Sequence, residues 1–159
     1  MSTKADYTKE EWDLIVKSPV MAAMAVIAAS PSGPIGVVKE MFAVGKGLWA
    51  GAEGTTNPLI GALVADLKAG ARPAMPTERP QDLAQAKAQA VAACREVAAL
   101  LDRKAPAEAE GFKRWLLGSA QGVAEAAKEG GVFGIGGVQV SEAEKTALAE
   151  VAQALGVRA

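Results

Sequence analysis

Apolar residues recur along most of this chain at three- and four-residue steps, the spacing of a helix face, and no stretch sustains the alternation of a strand. Thr8-Lys9-Glu10-Glu11 has capping-box spacing and predicts a short helix with Trp12, Ile15 and Val16 on its apolar face. Ser18-Pro19 reads as the cap and first-turn proline of a second helix reaching about Ala29, which the prolines at 31 and 34 end. Val37, Val38, Met41, Phe42 and Val44 continue a mostly helical pattern to about Trp49, weakened by Gly45, Gly47 and Gly51. Asn57-Pro58 repeats the cap-then-proline signal, and Leu59, Ile60, Leu63, Val64 and Leu67 follow on one face.

Residues 70–80 carry three prolines and predict an extended surface connection. Pro80 is expected to open the longest helix, to about Arg103, with Leu83, Ala90, Cys94, Val97 and Leu101 inward. Pro106 opens another, striped by Phe112, Trp115, Leu116, Ser119, Val123 and Ala126, while Lys113, Arg114 and Glu125 point away. Ser141 with Glu144 three residues on caps the last helix, which carries Leu148, Val151 and Leu155 and stops at Gly156. The pattern thus predicts an all-α fold of about seven helices, with residues 138–140 too short to read as a strand.

The stretch from Ala28 through Ser30-Pro31-Ser32-Gly33-Pro34 to Glu40 is echoed by the one from Ala126 through the glycines at 130, 131 and 134 to Glu144. That echo implies a duplication within one domain, with a first repeat over 1–69, a connection over 70–80 and a second repeat over 81–159.

Composition narrows the chemistry. Half of the 159 residues are hydrophobic but only 4% aromatic, so an alanine-rich core of closely spaced helices is expected. With 17 basic against 18 acidic residues and no long block of either sign, the electrostatic footprint of a nucleic-acid binder is missing. The absence of histidine removes the commonest general base and transition-metal ligand. One cysteine, Cys94, cannot close an intrachain disulfide, and with a polar, charged beginning this points to the cytoplasm. Residues 18–38 contain no charge, yet their prolines leave an apolar run well short of the roughly 20 residues a spanning helix needs, so a buried helix is expected there.

The run from Phe112 to Gly156, with Val123-Ala124-Glu125-Ala126-Ala127, a glycine turn, Val140-Ser141-Glu142-Ala143-Glu144 and then 148–156, resembles the TerB-like family of tellurite-resistance proteins. Residues 18–44 look like its weaker first repeat, and 45–104 are largely unmatched. The resemblance implies two related helical units and association with stress-response complexes near the membrane, without a demonstrated reaction. The family places an Ala-Asp-Gly turn before its Ser-x-x-Glu start, with acidic residues proposed to hold a divalent metal. Here that turn reads Ala127-Lys128-Glu129-Gly130, leaving Glu129, Glu142 and Glu144 as local oxygen donors, with Glu144 already explained as a cap.

No catalytic, cofactor or metal residue is therefore assigned. Cys94 shares its face with Ala90, Val97 and Leu101 and reads as core. The glycines of 130–137 and Gly45-Lys46-Gly47 lack the strand, lysine and hydroxyl of a phosphate loop. Trp49, Phe133 and Ile135 sit among glycines, off any helix stripe, and are the candidate partner-binding residues. The reading is a non-catalytic helical interaction and stress-response module with a protein partner. A redox or small-molecule enzyme using Cys94, and a peripheral membrane binder using the apolar glycine loops, stand as alternatives.

Overall fold

The computed structural model describes residues 2–29, 52–73, 80–129 and 140–158. Among these it is all-helical, with a 3-10 turn at Lys4–Asp6 and five α-helices: α1 (Lys9–Ala29), α2 (Pro58–Lys68), α3 (Leu83–Lys104), α4 (Pro106–Glu129) and α5 (Glu142–Leu155). The expected count of about seven is too high among the described residues for two reasons. The helix read over Val37 to Trp49 lies outside them, and the two helices read on either side of Ser18 are one.

That merger is a correction with a clear cause. Pro19 lies inside the 21-residue α1 instead of opening a helix. A proline in a helix interior ordinarily costs about 3 kcal/mol, because it has no N–H for the carbonyl four residues back. Here that carbonyl is Ile15's, and the Ser18 hydroxyl donates to it at 2.7 Å. Ser18 and Pro19 are both fully buried, so the ring packs in the core while the serine supplies the missing donor. Capping at Thr8 is as expected: Thr8 Oγ1 accepts from Glu11 N–H at 3.2 Å and Glu11 Oε2 from Thr8 N–H at 2.9 Å.

Four helices form an antiparallel bundle. Lys104, at the end of α3, bonds Glu11 and the Asp6 carbonyl beside the start of α1, so α3 runs against α1. Ser2 meets Glu108 near the start of α4, and Val123 near its end clusters with Ala23 and Ile27, so α4 runs with α1. Gly156 and Val157, just past α5, lie beside Pro106 and Ala109, which reverses α5 again. The shorter α2 spans the lower end, where α1 begins, from α4 to α1: Asn57 Nδ2 donates to the Glu108 carbonyl at 2.9 Å, and Asp66 accepts from Trp12 at 2.8 Å. Gly111 permits the first of these contacts, since a Cβ there would stand 2.8 Å from Asn57 Nδ2.

One core cluster draws on all five helices, including Ile15, Ala22 and Val26 of α1, Leu59 and Leu63 of α2, Cys94 and Val97 of α3, Phe112 and Leu116 of α4, and Val151 and Leu155 of α5. It therefore takes side chains from both expected repeat regions. Alanines fully buried at 22, 25, 90, 120 and 147 let the backbones approach closely. α1 is long and apolar enough to cross a membrane, but most of it is buried inside the bundle.

Four further expectations need correction. Asp82, not Pro80, starts α3, its carboxylate accepting from Gln85 N–H at 2.7 Å, and α4 at 24 residues exceeds the 22 of α3. Leu83 has the angular position of the stripe yet is 62% exposed, because it sits on the first position of α3, at the rim of the packed layer. Lys113, expected to point away, is 7% exposed; its stem is covered and its ammonium reaches Asp102 of α3 at 2.5 Å. The Asn57, Ser141–Glu144 and Gly156 signals match: Gly156 takes φ 72°, and Val157 N–H returns to the Ala152 carbonyl at 3.0 Å.

Replacing Ser18 with alanine strands a buried carbonyl and should cost about 1–3 kcal/mol in denaturant unfolding. In a Pro19→Ala background the restored N–H serves Ile15, so the same change should cost about 1 kcal/mol less. Strict additivity of the two substitutions would show that Ser18 does not compensate for the proline.

Candidate functional site

The densest meeting of polar, charged and aromatic side chains lies at the lower end, where residues 2–7 cross the bundle. The segment makes one turn, closed by Asp6 Oδ2 accepting from Thr3 N–H at 2.7 Å and Thr3 Oγ1 at 3.1 Å. Tyr7 then extends the chain into α1. Trp12, one turn into α1, is 3% exposed and directs its indole N–H to Asp66 Oδ2. Lys4 Nζ contacts both Asp66 oxygens, at 2.9 and 3.1 Å, so one carboxylate joins the segment, α1 and α2. The Trp12 hydrogen bond, then that of Lys4, holds the Asp66 carboxyl below its ordinary range.

Beside it Tyr7 is 8% exposed, its ring 5.8 Å from that of Trp12 and 5.5 Å from Lys104 Nζ. Burial pushes its phenol pKa up. Lys104 also pairs with Glu11 Oε2 at 2.5 Å; this bond first, and the Thr8 N–H second, lower the Glu11 pKa. Alongside runs an open groove of about 510 Å³, walled by Lys4, Tyr7, Trp12, Val16, Asp66 and Arg72. Such a surface can receive a short segment carrying a cation and an aromatic ring. Sequence reading used Trp12 only as core, because Lys4 and Asp66 are 62 residues apart and no local spacing links them.

A second groove, of about 400 Å³, opens at the upper end between Ala28, Ala29, Leu83, Lys87, Ala143 and Thr146. The candidate partner-binding residues Trp49, Phe133 and Ile135 lie outside the described residues, as do both glycine-rich stretches and the Glu129 side chain. Of the remaining acidic candidates, Glu144 Oε2 accepts from Ser141 N–H at 2.8 Å and Glu142 pairs with Lys145 at 2.9 Å. Among the described residues no three His, Cys, Asp or Glu side chains converge as a metal site. Cys94 is fully buried, and desolvation pushes its thiol pKa up to about 12.

Comparison with protein-family models, curated proteins and solved structures finds no match to this chain.

The lower-end carboxylates set an acid dependence. Asp66, Asp6 and Glu11 all titrate below their ordinary values of 3.8, 3.8 and 4.5, so the stability they contribute is complete above that range and is lost as pH falls through it. Asp66→Asn should lower the melting temperature at pH 6 and lose less of it between pH 6 and pH 3 than wild type does. Parallel losses in both proteins would show that Asp66 carries no such linkage.

Proposed function

We propose that this chain is a non-catalytic helical interaction module serving a stress response, of the kind its resemblance to TerB-like proteins implies, with a protein partner and a cytoplasmic location. The observation that carries the reading is the upper end of the bundle. Leu83 is the one strongly exposed large hydrophobic among the described residues. It stands in the groove beside Ala28, Ala29 and Ala143. The chain leaves the described helices at Ala29 and at Glu129 and rejoins them just before Glu142, so Phe133 and Ile135 lie in sequence between two upper-end helix termini, while Trp49 lies three residues before Ala52. These three residues are the proposed anchors.

Two further features favour binding over chemistry. The only cysteine is sealed in the core with a thiol that stays protonated at neutral pH, whereas a redox or nucleophilic role needs an accessible thiolate. The acidic residues Glu142 and Glu144, which the family pattern would turn toward a cation, instead pair with Lys145 and complete a capping box.

Capture of partners from the native organism under oxidative or metal stress tests the proposal. Trp49→Ala, Phe133→Ala and Ile135→Ala should each keep the wild-type melting temperature and lose the captured partner at least about tenfold, as truncated interface anchors do. Variants that melt early yet retain the partner would assign these side chains to the fold. In the same preparation, Cys94 should react with a thiol reagent slowly when folded and quickly in denaturant. Rapid stoichiometric labelling of the folded chain would restore the enzyme reading.

A further inference from the structure

We propose that Asp66, Trp12 and Glu108 form a receptor site for a short peptide that makes one turn and carries an aromatic residue three positions after its lysine, and that residues 2–7 of this chain occupy that site in cis. The proposal rests on the interaction reading and deepens it by naming a partner class at the lower end of the bundle.

Residues 2–7 are seated as a ligand would be. The Lys4 ammonium lies on both oxygens of Asp66, whose carboxylate is already oriented by the Trp12 indole N–H. The Ser2 backbone N–H donates to Glu108 Oε1 at 2.9 Å, and Lys104 Nζ donates to the Asp6 carbonyl at 3.2 Å. Tyr7 inserts its ring against Trp12 as the apolar anchor. The receiving groups come from α1, α2, α3 and α4, so the bundle builds the site and the segment only fills it.

The polar part of the occupant is separable from the fold it covers, while its Tyr7 ring joins the core cluster. α1 takes its cap from Thr8 and Glu11 and requires nothing before Thr8 to begin. The turn at Lys4–Asp6 is closed within the segment, by the Thr3–Asp6 bonds and by the Tyr7 N–H on the Lys4 carbonyl, and the segment joins α1 through a single extended residue, Tyr7. Its polar fastenings are partly or fully exposed, a setting in which ion pairs hold weakly. The groove of about 510 Å³ beside Asp66 leaves room for a competing segment to enter alongside before the resident one leaves. A covalently attached occupant acts at roughly millimolar effective concentration, so it masks the site from dilute ligands without closing it.

A capped synthetic peptide with the sequence of residues 2–8, titrated into the full chain, tests this. The readout is the Trp12 indole N–H resonance, identified by its loss in Trp12→Phe. Lys4→Ala combined with Tyr7→Ala should weaken the resident segment and bind the peptide at least tenfold more tightly than wild type. If the double variant lacks a cooperative melt, Lys4→Glu, which sets a like charge against Asp66, serves instead with the same expectation. Binding should vanish when the peptide carries alanine in place of its lysine and when Asp66→Asn is added to the variant. Equal affinity for wild type and variant, affinity indifferent to Asp66, or no binding to either variant at millimolar peptide would overturn the proposal. Loss of the native partner in Phe133→Ala or Trp49→Ala with unchanged peptide binding would separate this site from the proposed aromatic anchors.

Discussion

The burial of α1 is the constraint on which the rest of the structure depends. From Ser18 to its end this helix carries no charged residue, and its Ile15, Ala22, Ala25 and Val26 side chains are almost wholly removed from water. A helix so apolar over much of its circumference has to be surrounded, and α3, α4 and α5 pack along it while α2 meets its lower end. The demand for close approach explains the alanines. Small side chains facing α1 bring the backbones together, and the larger residues, Phe112, Leu101 and Leu155, fill the spaces between helices. The same burial makes Pro19 tolerable, because its ring contributes to the core and Ser18 supplies the one hydrogen bond it forfeits.

The two ends of the bundle are finished differently. At the lower end Asp66, Glu11, Lys4 and Lys104 lace residues 2–7 and the starts or ends of three helices together, leaving Tyr7 and Trp12 packed beneath. These bonds are individually modest and partly exposed, so they set arrangement more than stability. At the upper end the described helices terminate around alanines and an exposed leucine. A rim of alanines with an exposed leucine and an electrostatically fastened base give one small bundle two distinct ends.

Local signals could be read wherever the deciding groups lie within one helical turn. Thr8 with Glu11, Asn57 before Pro58 and Ser141 with Glu144 each satisfy a helix start from within the same few residues, and the structure shows the expected bonds. Gly156 ends α5 for an equally local reason, since its positive φ is open to glycine without a Cβ clash. Ser18-Pro19 carries the same letters as a helix start and means something else, because a buried proline is decided by what surrounds the helix. Of the lower-end site, the sequence disclosed only that Trp12 faces inward. Asp66 and Glu108, the carboxylates that receive the Trp12 and Ser2 N–H groups, come from residues dozens of positions away.

All-α class, the starts of α1, α2, α4 and α5, the stop of α5 at Gly156, and the inward placement of Cys94 follow from periodicity and capping chemistry, which act over three or four residues. Tertiary packing alone decided that α1 runs unbroken through Pro19, that Leu83 stands at an edge while Lys113 is covered, and that Lys4, Trp12 and Asp66 meet. A helix face specifies the direction in which a side chain points. Whether a neighbour waits there, and which charge it carries, depends on how distant segments are brought together, and no short-range pattern encodes that.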